Sequence, residues 1–339
     1  MAFLRQAAKV GRKFQNPVPT NVGGFSTFFR ILPLLLTNKE ERVPRTPLGP
    51  FTTDASLYDT SPASGLRITW MGHSSTLVEI DGVNLLIDPV WDDRASPSSM
   101  FGPKRFFAPT LGLKDLPRID AALLSHDHYD HLGKSTVRQL AQLRPDLRWI
   151  TSLGVGKILQ RFGVPAFQIT ELDWTQTTTV ASRHGVTCDI TSLPSRHFSG
   201  RGISNRFETL WASFVLRSPQ HSVYFGADSG FWEGFAEIGA EHGPFDLTML
   251  EIGAYNDLWK PIHMGPDGAA AAFKALGAAG LLMPIHWGLF DLALHGWRQP
   301  IEQMLQITDA QRIKLWSPHP GQPTEVVADT ELRSNWWHP

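Results

Sequence analysis

Ile119-Asp120-Ala121-Ala122-Leu123-Leu124-Ser125-His126-Asp127-His128-Tyr129-Asp130-His131-Leu132-Gly133 decides how this chain reads. Its first six residues form a short apolar run behind Pro117, the pattern of a buried strand. Three histidines and two aspartates then fall within positions 126–131. Leu132-Gly133 closes the segment, and a helical pattern starts at Ser135, a fitting N-cap. The cluster therefore sits on a tight loop leaving a strand end, where side chains converge. Neutral imidazole and carboxylate suit zinc, iron and manganese. His126 and His128, two apart on extended backbone, point the same way and can share one ion. Asp130 and His131, past the turn, can hold a second. The competing reading is a solvated polar loop. With 13 histidines in 339 residues, H-x-H-x-D-H arises by chance in roughly one chain in a thousand, which decides against it.

Composition narrows the field. The chain carries 31 basic and 32 acidic residues, with a net charge of −1. That balance gives no global field for a polyanion, and no basic stripe interleaved with aromatics is visible. Nucleic acid is not an expected partner. A single cysteine, Cys188, excludes internal disulfides and is expected as a small buried apolar side chain. No run reaches the roughly 20 apolar residues of a membrane span. The basic residues Arg5, Lys9, Arg12 and Lys13 are not followed by the apolar core of a signal peptide. The expectation is an intracellular, cytoplasmic protein.

Outward from the loop, two regions separate. Residues 1–65 are irregular and proline-rich, an N-terminal arm expected to lie on a main domain of residues 66–339. Within the arm Phe25, Phe28, Phe29, Ile31, Leu32, Leu34, Leu35 and Leu36 form an apolar cluster. It packs on the domain or a second subunit, or it dips into a lipid interface beside flanking Arg and Lys. From Leu66 the pattern is regular. Strands are expected at 66–70, 76–80 and 83–87, with Asp81-Gly82 as a hairpin turn. Beyond the metal loop, helix and strand patterns alternate to a last helix at 299–308 and a last strand at 313–316. Two β-rich blocks, each with helices, give an α/β (α+β) fold of two sheets packed face to face with helices outside.

A pair of ions needs more ligands than one loop supplies, and three polar residues share its format by following an apolar run. His197 follows Asp189 to Pro194, Asp228 ends Val223 to Ala227, and His286 ends Leu281 to Ile285. Each has a plainer reading alone: an exposed histidine, a helix N-cap, a loop residue. Their occurrence in this chain order favours ligands, and a carboxylate such as Asp228 has two oxygens with which to bridge two metals.

The ligand order resembles the metallo-β-lactamase superfamily, whose fold is a four-layer αββα sandwich of two mixed sheets flanked by helices. Local motifs are more specific. Gly65 to His73, Ala95-Ser96-Pro97, Gly102-Pro103-Lys104-Arg105, His126 to Leu132, Gly243 to Leu247, Ile252-Gly253-Ala254-Tyr255 and Ile285-His286-Trp287-Gly288 resemble the N-acylphosphatidylethanolamine-hydrolysing phospholipase D family. Asn16-Pro17-x-Pro19-Thr20 is similar to that family's arm. The resemblance implies two Zn2+ ions, with iron or manganese as other possible metals. His126, His128 and His197 would hold one, Asp130, His131 and His286 the other, and Asp228 would bridge. It implies hydroxide between the metals attacking phosphorus, catalytic roles for Asp130 and for His263 as phosphate contact or leaving-group acid, peripheral membrane contact and a homodimer. Tyr129 is a candidate to contact a ligand or the substrate. His73 and Asp88 are expected behind the ligands. The chain departs from the family at Glu251, where a small or apolar residue is usual, and at Ala227-Asp228-Ser229-Gly230. The loop Ser199 to Thr209, with Arg201, Asn205 and Arg206, can face the substrate.

The leading expectation is a zinc phosphodiesterase acting on N-acyl phospholipids. Alternatives are a hydrolase of a soluble lactone or cyclic phosphodiester on the same site, and a non-catalytic lipid or metal sensor at a membrane surface.

Overall fold

A computed structural model describes residues 3–23, 30, 33–34, 37–202, 204–327 and 333–338. The arm opens with a short hairpin, β1 (Lys9–Val10) and β2 (Lys13–Phe14). Then β3 (Leu66–Trp70), β4 (Thr76–Ile80) and β5 (Val83–Ile87) form an antiparallel meander, and Asp81 and Gly82 take positive φ at the β4–β5 turn. β6 (Ala121–Leu124), β7 (Arg148–Ser152) and β8 (Ile169–Leu172) add in parallel through helices α1 (Lys134–Leu143) and α2 (Gly156–Arg161). A second sheet runs antiparallel through β9 (Thr177–Ala181), β10 (Thr187–Leu193), β11 (Ser213–Arg217) and β12 (Ser222–Phe225). It turns parallel at β13 (Leu247–Glu251) and β14 (Leu281–Ile285), connected through α3 (Gly234–His242) and α4 (Gly265–Ala275). α5 (Gln299–Gln311) follows, and β15 (Thr324–Glu325) returns to the free edge of β3. The sheets have the orders β15-β3-β4-β5-β6-β7-β8 and β14-β13-β12-β11-β10-β9.

Alternation along the first sheet shows the layers. Val78, Leu85, Ile87, Leu123 and Ile150 join the core shared with Ile190, Phe214, Val223 and Phe225 of the second sheet. Their neighbours Leu77, Leu86, Leu124 and Trp149 pack on the other face with Val137 and Leu140 of α1 and Leu159 of α2. Both faces are covered, which is why these strands read as continuous apolar runs. On the second sheet α3, α4 and α5 contribute Phe235, Phe273 and Met304 to the central core. The result is the expected order of helix, sheet, sheet, helix.

The registers place one rim of the sandwich at the C-terminal ends of β3, β5, β6, β10, β12, β13 and β14. Backbone strain gathers there. His73, Asp88, Ala227 and His286 take φ of 56°, 40°, 48° and 62°, conformations that cost non-glycine residues energy and that concentrate at functional sites. The His286 N–H donates to the His73 carbonyl at 2.9 Å, tying the two sheets at this rim.

The last expected strand differs from the sequence reading. The region 313–316 makes a single bridge, Leu282 to Leu315, instead of a strand. The described part of the arm packs on the domain. Phe3 and Leu4 N–H groups donate to Glu237, Ala7 N–H donates to Asp173, and Phe14 is buried. Leu34 is exposed, and the other seven residues of the apolar cluster lie outside the described residues. Among the described residues no helix is long and apolar enough to cross a membrane. Cys188 is buried, and burial pushes its thiol up to about 12.

Candidate metal centre

Seven strand ends deliver the polar residues of the rim to one place. His126, His128 and His197 gather with Asp228, and Asp130, His131 and His286 gather with His73; the ligand atoms of each group lie within 4.8 Å of one another. His126 Nε2 and His197 Nε2 stand 2.9 and 3.2 Å from His128 Nδ1. Asp228 touches both groups. Its Oδ2 lies 3.8 Å from His126 Nε2, 3.6 Å from His197 Nε2 and 3.2 Å from His286 Nε2, and its Oδ1 lies 3.3 Å from His131 Nε2. Asp130 Oδ2 lies 3.3 Å from His286 Nε2 and 2.9 Å from His73 Nε2. The structure thus brings all seven proposed ligands together and adds His73, which the sequence reading put behind them.

The far side of each ring shows which nitrogen is left for a metal. The Ile262 carbonyl can only accept, so His197 Nδ1 carries the proton of their 2.9 Å bond and Nε2 keeps a lone pair. Asp88 accepts from His131 Nδ1 at 2.7 Å, with the same consequence. Ser125 Oγ donates to Asp88 at 2.6 Å, so it accepts from His126 Nδ1 at 2.9 Å. In the neutral ring form that ligates, three lone pairs therefore converge on carboxylate oxygens, and among the described residues His131 Nε2 and Asp228 Oδ1 are buried with no hydrogen-bond partner. Lone pairs in contact repel unless a cation lies between them, so the donor set fits metal ions of the zinc type. The partners Asp88, Ser125 and Ile262 also fix the ring orientations.

The electrostatics agree. Burial holds the His126 and His197 rings well below the usual imidazole value, in the neutral form that ligates. Burial alone would do the same to His131 and His286, but Asp228 and Asp130 overcome it. His131 is held well above its ordinary value, and His286 rises to about 10. Burial likewise opposes the charged forms of Asp130 and Asp228, yet the imidazoles around them, His131 first, hold both well below the carboxylate range. A metal ion competes with protons at such a site.

A cavity of about 400 Å³ opens over the centre. Phe198, Trp259, Ile262 and Leu292 give it apolar walls, and His263 and Arg206 add polar groups. Arg206 donates to the Val22 and Gly23 carbonyls of the arm and stacks over Phe198. Glu251 is fully buried behind His263. Burial raises its carboxyl, and His263 beside it pulls the value back. Tyr129 is not brought into the cluster: its hydroxyl donates to the Arg201 carbonyl, and the Arg201 guanidinium lies over its ring at 3.9 Å. Arg201 in turn donates to the Asp127 and Leu132 carbonyls, so this pair braces the metal loop. Phe198 and Trp259 carry no local signal as cavity walls, since isolated aromatics in loops read as core.

The family described as beta-lactamase superfamily domain matches residues 83–287, more than half of the chain. The chain belongs to the metallo-β-lactamase superfamily. Its homologues include an N-acyl-phosphatidylethanolamine-hydrolyzing phospholipase D of Caenorhabditis elegans, 35% identical over 318 residues and covering 89% of this chain and 88% of the relative. An uncharacterized protein of Mycobacterium tuberculosis is 44% identical over 277 residues, 81% of this chain and 72% of that one. Among solved structures, an isothiocyanate hydrolase from Delia radicum gut bacteria superimposes with a TM-score of 0.60 at 19% identity, over 77% of this chain and all of that one; that likeness bears on the fold. The chain is a metal-dependent hydrolase of this superfamily.

Proposed function

We propose that the chain is a dinuclear zinc phosphodiesterase of phospholipase D type, releasing N-acylethanolamine and phosphatidic acid from N-acylphosphatidylethanolamine. The observation that carries the reading is Asp228, whose two oxygens face two adjoining ligand groups under an apolar-walled cavity. The nematode relative named for this activity supports the substrate class. His126, His128 and His197 would hold one ion and Asp130, His131 and His286 the other, with Asp228 between them. Zinc held there supplies Lewis acidity and lowers the pKa of water towards neutrality.

The chain's own groups do the rest. The aromatic and aliphatic walls take the acyl chains and exclude water. Arg206, anchored by two arm carbonyls, offsets phosphate charge at the mouth. Water adds to phosphorus in line with the ethanolamine oxygen as that P–O bond breaks. His263 Nε2 accepts the proton released by the attacking water and passes it to the departing oxygen, so that the ring ends as it began. The membrane contact expected of residues 25–36, a homodimer and an intracellular location belong to the same reading.

Its test is hydrolysis of purified N-acylphosphatidylethanolamine by the zinc-loaded protein, with products identified by mass spectrometry, beside a lactone and a cyclic nucleotide. N-acylethanolamine together with phosphatidic acid is the expected result. Turnover of only the lactone or the cyclic nucleotide would refute the lipid assignment.

A further inference from the structure

The end of β13 carries a carboxylate that none of the metal groupings above requires. Glu251 is 0% exposed. Its Oε1 accepts from the Ser229 and Met264 N–H groups at 3.0 and 3.1 Å, and its Oε2 meets His263 Nδ1 at 2.6 Å. His286 Nδ1 lies farther off, at 3.8 Å from Oε2. The His263 ring lines the cavity beside Asp130, Asp228 and His286. It packs against the rings of His197 and His286, with centroids 5.0 and 5.3 Å away. Among the described residues no protein group bonds its Nε2.

From this geometry we infer that Glu251 is the positioning residue for His263: it holds the proton on Nδ1, fixes the ring plane and leaves Nε2 as the atom offered to the substrate. Two backbone donors lock Oε1, so Oε2 alone faces the ring, and a carboxylate there can only accept. The tautomer of His263 is therefore set by the protein before substrate arrives. A buried carboxylate behind a working imidazole plays this part in other hydrolytic sites. The inference rests on the phosphodiesterase reading for its kinetic consequence but not for its structural one.

The substitution Glu251→Gln is a sharp test because the same two N–H groups dictate how the amide sits. Ser229 and Met264 hold the amide oxygen, so the NH2 group faces His263 Nδ1 and donates to it. The ring proton must then move to Nε2. In the zinc-loaded protein, the imidazole 15N shifts of His263 should show Nδ1 protonated in the native chain and Nε2 protonated in Glu251→Gln. Kinetically, the loss in kcat should fall at least ten-fold harder on a dialkyl phosphodiester, whose leaving oxygen needs a proton, than on an aryl diester with an acidic leaving group. KM should change little. In a His263→Ala background, Glu251→Gln should add no further discrimination between the two esters.

The same tautomer in both proteins, or equal losses on both esters, would overturn the inference and reduce Glu251 to a packing role. A drop in bound zinc in Glu251→Gln would overturn it differently, by making Glu251 a ligand with Asp228, His263 and His286, a grouping whose ligand atoms also lie within 4.8 Å. If native protein turned over neither phosphodiester, the phosphodiesterase reading would fail, while the 15N result would still decide the role of Glu251.

Discussion

Replacing Asp88 tests whether the metal centre is organised from behind. This fully buried carboxylate accepts from His131 Nδ1 at 2.7 Å, Ser125 Oγ at 2.6 Å and Ser125 N–H at 2.8 Å. Asp88→Ala leaves three buried donors without acceptors. Each costs about 1–3 kcal/mol, and water entering the vacated volume recovers part of that, so a net loss of about 3–5 kcal/mol in the metal-free protein is expected. Asp88→Asn isolates the electronic effect, because its volume is nearly unchanged. The amide cannot accept from all three donors, and where its NH2 faces His131 the ring proton moves to Nε2, the nitrogen aimed at Asp228. Loss of a carboxylate behind a ligand imidazole lowers metal affinity by about 10–100-fold, equivalent to about 1.4–2.7 kcal/mol. The assay is competition for zinc against a chromophoric chelator, with urea unfolding of the metal-free protein alongside. Zinc affinity of Asp88→Asn within two-fold of the native value would refute the argument that Asp88 sets the His131 tautomer.

Other expectations follow from the same geometry. His126→Ala with His128→Ala should remove the bound metal at that group and abolish turnover; unchanged metal content by atomic absorption would sink the assignment. Arg67 and Glu79 form a buried two-pronged pair across β3 and β4, with contacts of 2.5 and 2.6 Å. Glu79→Ala should therefore cost about 3–5 kcal/mol, far more than removal of an exposed pair, as read by urea midpoints. Asp81 accepts from the Gln220 and His221 N–H groups. Burial works against its charge, but the Gln220 N–H bond and the His221 imidazole, 2.7 Å from its other oxygen, hold its carboxyl below the ordinary value of 3.8. A lowered folded pKa means stability present above the unfolded value and lost as pH falls through the folded one. Asp81→Asn should flatten the decline in stability below about pH 4, measured by unfolding at several pH values. Serine at Phe28, Leu35 and Leu36 should reduce hydrolysis of vesicle lipid several-fold more than that of a short-chain substrate; equal losses would argue against an interfacial role.

The parts of this molecule that were legible in its sequence share a local signal. The loop from His126 to His131 concentrates its ligands in six positions, and the strands around it are buried on both faces, so their apolar runs are unbroken. His197, Asp228 and His286 were legible only as a set, because a polar residue after an apolar run is equally a helix cap or an exposed turn. Tyr129, inside the motif, lies against Arg201 because the loop needs bracing where it leaves β6. Glu251 read as a departure from a family pattern, since its partners Ser229, His263 and Met264 come from two other segments. Arg206 was legible as part of a loop that can face the substrate, but its anchoring by arm carbonyls some 180 positions away was not, and no local pattern marks Phe198 beneath it. The short β15 is set by the open edge of β3 and not by its own two residues.

The most direct measurement is hydrolysis of N-acylphosphatidylethanolamine by the zinc-loaded protein in water enriched in 18O, with both products weighed by mass spectrometry. Attack on phosphorus predicts one 18O in the phosphatidic acid and none in the N-acylethanolamine. Label in the N-acylethanolamine would mean cleavage of its C–O bond and contradict phosphoryl attack at this centre, and absence of both products would contradict the proposed substrate.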